Sequence, residues 1–210
     1  MKIATWNVNS IKARTAHVQR WLLAHDPDIL CLQELKGLDF PLQEFDRYTI
    51  KTVGQKSYNG VAILSKHPVD LVLDKLPGNE TDEQARYLEA DIGGLRVINI
   101  YAPNGNPYPT EKFDYKLKWM ERLYHRVTEL RIQRVPFLVT GDFNVIPEAR
   151  DCWDPALWQN DALFRIESRR ALRKLLNLGL TDALRGLNNN ALEFSFWVFL
   201  VFCFSKDHGI

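Results

Sequence analysis

Carboxylate and carboxamide side chains follow apolar segments of this sequence at four separate points. In chain order the set is Asn7, Asn9, Glu34, Asn104, Asp142 and Asn144. Residues just past buried strands can direct polar groups into one cleft, while loops form the walls of that cleft. Oxygen ligands of this kind, with few His or Cys among them, suit Mg²⁺ or Mn²⁺ rather than zinc.

Each of these residues also has a purely structural interpretation. Asn7 and Asn9 could cap the segment that follows them, and Glu34 could be a solvated carboxylate at the start of a helix. Asp142 could form an Asx-turn within Gly-Asp-Phe-Asn. Tyr101 could be a core residue whose hydroxyl group has a partner. These structural interpretations would all have to be true by chance, in this order along one chain. We therefore favour a shared functional site.

The apolar pattern predicts the elements that must position these residues. Short strand-like segments with turns between them indicate a largely antiparallel arrangement rather than a series of βαβ units. We expect an α/β (α+β) fold in which two packed sheets are flanked by helices. The predicted strands are Ile3–Trp6, Asp28–Gln33, Tyr48–Val53, Gly60–Leu64, Val69–Leu73, Tyr87–Asp91, Leu95–Tyr101, Val135–Thr140 and Phe194–Phe204. The predicted helices are Thr15–His25, a long helix with an apolar face from Phe113 to Leu130, and Ser168–Asn177.

Composition restricts the possible classes of protein. The chain has 210 residues, which suits a single domain. With 27 Lys and Arg against 26 Asp and Glu, its net charge is +1, which excludes a nucleic-acid binder that works by bulk charge alone. Three scattered cysteines indicate neither a disulfide framework nor a zinc site.

The N-terminus lacks the apolar region of a signal peptide, and the nine apolar residues 196–204 are too few to span a bilayer as a helix. We therefore expect a cytoplasmic protein that does not contact a membrane.

Four motifs then occur in a fixed order along the chain. They are Thr5–Ile11 with Arg14, Leu32–Lys36, Asn99–Gly105 and Thr140–Asn144. Together they resemble the successive signatures of the exonuclease III family, metal-dependent DNA-repair nucleases of the endonuclease/exonuclease/phosphatase superfamily. Tyr58–Leu64 and Leu180–Arg185 resemble two further segments of that family. The resemblance runs in register from Met1 to about Arg185.

This resemblance implies a DNase I-like sandwich and a role for each motif residue. Asn7 and Glu34 would bind the divalent ion, and Tyr101 would lie against the scissile phosphate. Asp142 would activate or orient the attacking water, and Asn144 would stabilise charge on the phosphate oxygens. Supporting contacts to substrate are expected from Asn9, Arg14, Lys36, Arg86 and Asn104. Trp153 and Trp158 are candidates to wedge against DNA, with core packing expected for at least one of them.

The resemblance weakens towards the end of the chain. The family pattern continues with Arg-Ile-Asp and then Ser-Asp-His, whose aspartates and histidine have no counterpart in this sequence. Phe194–Trp197 resembles the Phe-x-Trp-type opening of the family's penultimate region, and Lys206–Ile210 resembles the residues just before Arg-Ile-Asp. His208 lies in the wrong motif to replace the histidine. We therefore expect one domain over residues 1–210 that is incomplete at its C-terminus and lacks the C-terminal strands, with a divergent tail at 188–210.

The function that these features predict is an exodeoxyribonuclease III-like enzyme. It would hydrolyse phosphodiesters 5′ to abasic sites and remove 3′ nucleotides or blocking groups from double-stranded DNA, as a monomer that uses Mg²⁺ or Mn²⁺. One alternative is a crippled or inactive truncated homologue that at most binds DNA. Another is a phosphatase of the same superfamily that acts on a phospholipid or small phosphoester.

Overall fold

The computed structural model describes residues 1–187, so the expected strand Phe194–Phe204, the tail 188–210 and His208 lie outside the described residues. The strands are β1 (Ile3–Asn7), β2 (Ile29–Gln33), β3 (Thr49–Val53), β4 (Val61–Ser65), β5 (Asp70–Leu73), β6 (Tyr87–Ile92), β7 (Leu95–Tyr101) and β8 (Phe137–Asp142). The α-helices are α1 (Ile11–His25), α2 (Glu111–Ile132), α3 (Pro155–Trp158), α4 (Ile166–Leu176) and α5 (Ala183–Leu187).

The strands form two four-stranded sheets. The first sheet has the order β1-β2-β4-β3, and the second has the order β5-β6-β7-β8. Most neighbouring strands are antiparallel, as expected, but β1 pairs with β2 and β7 pairs with β8 in parallel. The mixed α/β class with two sheets and flanking helices is confirmed.

Two compact units make up the chain. The first contains Met1–Ala102 and Glu129–Phe143, which include all eight described strands and α1. The second contains Pro103–Thr128 and Asn144–Ile210, with most of α2 and the shorter helices of the described range. The single domain expected from the sequence stays a prediction.

The core of the first unit forms on both faces of β2. Leu30 and Leu32 pack with the apolar side of α1, whereas Ile29 and Cys31 face β6 and β7 of the second sheet. Both faces of β2 are therefore buried, which explains its continuous apolar sequence. Burial also raises the pKa of the Cys31 thiol to about 12, so this cysteine is an inert core residue.

Helix α1 connects β1 to β2 and has well-defined ends. The side chain of Ser10 accepts a hydrogen bond from the backbone of Ala13 at its N-terminus. Asp26 adopts a left-handed conformation, with φ of 46°, at its C-terminus, where Pro27 prevents the helix from continuing. The helix begins at Ile11, four residues before the predicted start at Thr15, because Ser10 caps it there.

The second unit is built mainly from helices. Along α2, Phe113, Met120, Leu123 and Val127 are buried, as the spacing of its apolar residues predicts. A smaller apolar cluster contains Ile146, Cys152 and Leu163, with Trp158 and Phe164 packed against it. None of the helices within residues 1–187 is both long enough and apolar enough to cross a membrane.

Candidate active site

The ends of four strands bring the main candidates together in the first unit. The parallel pairing of β1 with β2 continues to Asn7 and Gln33, and that of β7 with β8 continues to Tyr101 and Asp142. Asn7 and Asp142 are thus the last residues of their strands rather than residues beyond them. Because parallel strands end at the same edge of a sheet, the second pairing places Tyr101 beside Asp142, and the first places Asn7 beside Gln33, the residue that precedes Glu34.

The Asn7 side chain joins two carboxylates that belong to different sheets. Its Nδ2 donates to Oε1 of Glu34 at 2.8 Å and to Oδ2 of Asp142 at 2.8 Å. Its Oδ1 accepts a hydrogen bond from the backbone of Asn9 at 3.0 Å. The same amide group can donate to both carboxylates because it supplies two N–H donors.

Glu34 interacts with several side chains of this cluster. Its Oε2 lies 3.0 Å from Nζ of Lys36, and the Tyr101 hydroxyl interacts with the same carboxylate. Partial burial raises the pKa of Glu34, but hydrogen bonds from Asn7, Lys36 and Tyr101 together with the charge of Lys36 outweigh that effect and hold it below the ordinary 4.5. Glu34 is therefore ionised at neutral pH.

The Tyr101 hydroxyl is a neutral hydrogen-bond donor beside this carboxylate. Burial raises the pKa of Tyr101, and the negative charge of Glu34 raises it further, so the phenol keeps its proton. The guanidinium of Arg86 lies 4.8 Å from the centre of the Tyr101 ring, and its Nη1 donates to the carbonyl of Tyr101 at 3.2 Å. Arg86 therefore brings a positive charge to the ring and anchors the backbone at this position.

A basic network surrounds Asn9. Lys36 Nζ, which pairs with Glu34, also donates to Oδ1 of Asn9. Arg14 Nη1 donates to the Asn9 carbonyl at 3.1 Å. The structure thus connects Lys36 to Glu34 directly, Asn9 to Asn7 through its backbone, and Arg14 to Asn9, whereas the supporting role of these three residues stays a prediction.

The backbone of several candidate residues adopts conformations that residues other than glycine rarely take. Values of φ are 45° at Asn9, 55° at Glu34, 54° at Lys36 and 49° at Asn144. Such left-handed residues cluster where a structure holds functional groups in a required position. Gly141 precedes Asp142 with φ of 130°, and a Cβ there would lie 2.1 Å from the carbonyl oxygen of Ile100. Only glycine therefore allows β8 to approach β7 closely enough to place Asp142.

The second unit holds the remaining two candidates, Asn104 and Asn144. Nδ2 of Asn104 donates to Oδ1 of Asn144 at 3.3 Å. The fully buried Lys116 of α2 donates from Nζ to the carbonyl of Asn104 at 3.1 Å and to that of Asn144. Gly105, with φ of 89°, accommodates this lysine, because a Cβ there would lie 2.8 Å from its Cδ. One ammonium group therefore fixes both asparagine-bearing loops.

The geometry decides between several of the alternatives that the sequence leaves open. Ser10, and neither Asn7 nor Asn9, caps α1. Glu34 lies between β2 and a loop rather than at a helix start, and its side chain is only 19% exposed. Tyr101 is half-buried and satisfied, as a core residue would be, but its partner is the candidate metal ligand.

The two tryptophans differ in their environments within the second unit. Trp158 packs against the apolar cluster formed by Ile146, Cys152 and Leu163, as expected for at least one of the pair. Trp153 is 50% exposed.

Sequence reasoning missed three buried polar residues that support these groups. Gln33 and Asn99 are buried between the two sheets, and Lys116 lies within the apolar face of α2. Each has a detectable signal, namely a polar residue at a position where the periodicity of the element requires an apolar one. A buried polar group at such a position must find partners, so it indicates a hydrogen-bond network.

The donor set of the first unit fits a hard divalent cation. Glu34 and Asp142 provide carboxylate oxygens, and the amide oxygen of Asn7 has a second lone pair besides the one that accepts from Asn9. Residues 1–187 contain no group of three or more His, Cys, Asp or Glu that could hold a metal ion. One or two carboxylates completed by neutral oxygens are nevertheless usual for magnesium, which keeps several of its water ligands.

Comparisons with known proteins identify the family and the fold of this chain. The family model described as "Endonuclease/Exonuclease/phosphatase family" matches residues 4–203. An exodeoxyribonuclease of Bacillus subtilis is 31% identical over 191 residues, which cover 88% of this chain and 75% of that protein. An AP endonuclease structure from Archaeoglobus fulgidus matches with a TM-score of 0.95 at 38% identity, and the match covers 100% of this chain and 83% of the Archaeoglobus chain. A Neisseria 3′ phosphatase bound to a product DNA hairpin matches with a TM-score of 0.94 at 36% identity, and the match covers 100% of this chain and 83% of the Neisseria chain.

Proposed function

Because this chain belongs to the endonuclease/exonuclease/phosphatase family, we propose that it is a metal-dependent DNA-repair nuclease of the exodeoxyribonuclease III type. Its relatives include an exodeoxyribonuclease, an AP endonuclease and a 3′ phosphatase. The observation that carries the proposal is the single amide of Asn7 that donates to both Glu34 and Asp142 where the two sheets meet. That arrangement brings two carboxylates to one edge, where one could hold a divalent cation and the other could act on the attacking water.

Asp142 is the residue that would handle the attacking water. Its carboxylate accepts a hydrogen bond from the Asn7 amide, and an aspartate carboxylate in this position could orient a water molecule and accept its proton. Tyr101, whose hydroxyl keeps its proton, would donate a hydrogen bond to the scissile phosphate without adding negative charge. Asn144 would contribute a further neutral donor to the phosphate oxygens.

Glu34 and Asn7 are the residues that would hold the metal. Nucleases of this family generally depend on a divalent metal, and the oxygen donors here suit Mg²⁺ or Mn²⁺. A bound cation supplies positive charge that offsets the charge of the phosphate and of the leaving oxygen. Lys36 would limit the repulsion between Glu34 and the incoming phosphate, since its Nζ lies 3.0 Å from that carboxylate.

The substrate that we propose is double-stranded DNA. Hydrolysis would occur 5′ to abasic sites and at 3′ ends, where nucleotides or blocking groups would be removed. Arg14, Arg86 and Lys36 would contact the DNA backbone, since cations beside a phosphate site bind it irrespective of sequence. Asn9 and Asn104 would add polar contacts. Action as a monomer in the cytoplasm stays a prediction from the sequence.

The direct test is cleavage of a duplex that carries one abasic site. We expect incision 5′ to that site with Mg²⁺ or Mn²⁺ and none with EDTA. Asp142→Asn should reduce kcat by about 10³-fold or more, because the carboxylate base is lost. The fold should be kept, because the asparagine side chain has nearly the same shape. The matched control is Asp70→Asn, which removes an exposed carboxylate from β5 and should cleave like the wild type.

Two outcomes would contradict this proposal. Salt-dependent DNA binding without any product would favour a DNA-binding protein that lacks turnover. Hydrolysis of a phosphoinositide or small phosphoester, with abasic DNA left intact, would favour a phosphatase. The names of the relatives favour the nuclease over both.

A further inference from the structure

Two carboxamide side chains are buried between the sheets of the first unit. Asn99 on β7 has no exposed surface, and Gln33 at the end of β2 is 1% exposed. Both lie where the neighbouring inward residues, such as Val97 and Cys31, form an apolar core between the sheets. A buried amide is costly unless its hydrogen-bonding groups are all satisfied, so packing alone would be served better by an apolar residue.

Asn99 ties the second sheet to the centre of the first sheet. Its Nδ2 donates to the carbonyl of Leu32 at 2.9 Å and to that of Ala62 at 2.8 Å. Leu32 and Ala62 are register partners on the adjacent strands β2 and β4. The Asn99 side chain on β7 therefore binds both central strands of the first sheet at the same register position.

Gln33 completes the connection. Its Nε2 donates to Oδ1 of Asn99 at 2.7 Å and to Oγ1 of Thr5 on β1 at 2.9 Å. It also lies 3.2 Å from the carbonyl of Cys31. The amide pair thus links β1, β2, β4 and β7, and hydrogen bonds are directional, whereas apolar contacts allow the sheets to slide.

The next residues along these strands are the proposed functional groups. Glu34 follows Gln33 directly, and Tyr101 lies two residues after Asn99 on the same face of β7. The Tyr101 hydroxyl interacts with the Glu34 carboxylate, so the distance between the ends of β2 and β7 determines how closely these two groups approach. We propose that Asn99 and Gln33 are positioning residues that hold Tyr101 against Glu34, an inference that rests on the proposed function for its effect on turnover.

The test combines Asn99→Leu with Tyr101→Phe in a double-mutant cycle. Asn99→Leu should lower kcat on the abasic duplex by about 10- to 100-fold, the size expected when a reacting group shifts by about 1 Å, with little change in KM. In the Tyr101→Phe background the same change should cost much less, because its target is already gone. Equal losses in both backgrounds would overturn the proposal.

A second readout does not depend on turnover. The chain has seven tyrosines, and labelling with 3-fluorotyrosine gives each a ¹⁹F signal, of which the one missing in Tyr101→Phe belongs to Tyr101. Asn99→Leu should shift or broaden that signal in the full chain without metal. An unchanged signal would overturn the proposal, whereas the absence of cleavage by the wild type would count against the proposed function alone.

Two further variants separate positioning from stability. Ser65→Ala removes a buried polar group at the other end of the β2 and β4 pairing, where Ser65 Oγ accepts from the backbone of His67 at 2.9 Å. This control should lower the melting temperature without moving the Tyr101 signal. If Asn99→Leu does not fold, Gln33→Met keeps the donors of Asn99 and should produce the same changes to a smaller extent. No change in the Tyr101 signal or in kcat for Gln33→Met would then decide against the proposal.

Discussion

The two units of this protein hold their functional candidates in different ways. In the first unit, side chains contact side chains, and the Asn7 amide joins the carboxylates of Glu34 and Asp142. In the second unit, the Lys116 ammonium binds the backbone carbonyls of Asn104 and Asn144. The first arrangement controls charge, whereas the second controls the position of loops.

This contrast has a physical basis in the chemistry of the groups. Neighbouring carboxylates repel each other, and a hydrogen bond donated to a carboxylate favours its charged form. Asparagine side chains are neutral, so a loop that carries them needs only a fixed backbone, and a buried ammonium supplies that with strong charge-assisted hydrogen bonds. Variants of the two donors should therefore differ in what they impair.

The largest effect is expected for the donor of the first unit. Asn7→Ala removes the amide between the two carboxylates, so their mutual repulsion is no longer offset and the proposed metal ligand is lost. We expect a decrease in kcat of about 10²- to 10³-fold and a higher requirement for Mg²⁺. Steady-state cleavage of the abasic duplex across Mg²⁺ concentrations measures both. If Asn106→Ala lowered kcat by the same factor, the effect would not be specific to the cluster of Asn7, Glu34 and Asp142.

A smaller effect on rate but a larger effect on stability is expected for the donor of the second unit. Lys116→Met leaves two backbone carbonyls without this partner, which should reduce the free energy of unfolding by about 1–3 kcal/mol. The asparagine loops would shift, and we expect activity to decrease by roughly tenfold. Urea denaturation and cleavage assays measure the two quantities. Lys118→Met, at an exposed position two residues further on, is the matched control and should resemble the wild type.

The smallest effect is a change in the acid sensitivity of the first unit. The pKa of Glu34 is held below 4.5 in the folded protein, so its ionised form stabilises the fold at higher pH. That contribution should be lost as the pH falls from about 4.5 through the folded pKa. In EDTA, the urea midpoint of the wild type should fall more steeply below pH 4.5 than that of Glu34→Gln. Parallel curves for the two proteins would contradict this, and Glu44→Gln, at an exposed position, serves as the control.

Much of the fold follows from local patterns in the sequence. The apolar segments predict the strands of the described range, and the spacing from Phe113 to Leu130 predicts the buried face of α2. The ends of elements were less accurate. β8 continues to Asp142 because its parallel pairing with β7 continues to Tyr101, and no local pattern reports the length of such a pairing.

The candidate site was predictable as a set of residues but not as an arrangement. The motifs identify Asn7, Glu34 and Asp142, yet they do not show that one amide donates to both acids. The sequence also gives no reason to connect Asn99 with Gln33, although each stands out as a polar residue in an apolar strand. Such contacts depend on how two sheets pack, which a one-dimensional pattern does not record.

The amino-acid sequence by itself determined the oxygen-rich chemistry of this protein, the order of its described strands and three longer helices, and its family, but it did not predict the short helices α3 and α5. The tertiary structure alone decided which groups touch. Asn7 and Asp142 are 135 residues apart in the chain, and they meet because the last residues of β1 and β8 lie at the same end of two packed sheets. Side-chain type is a local property, whereas a hydrogen bond 2.8 Å long between distant strands exists only once the whole sandwich has formed.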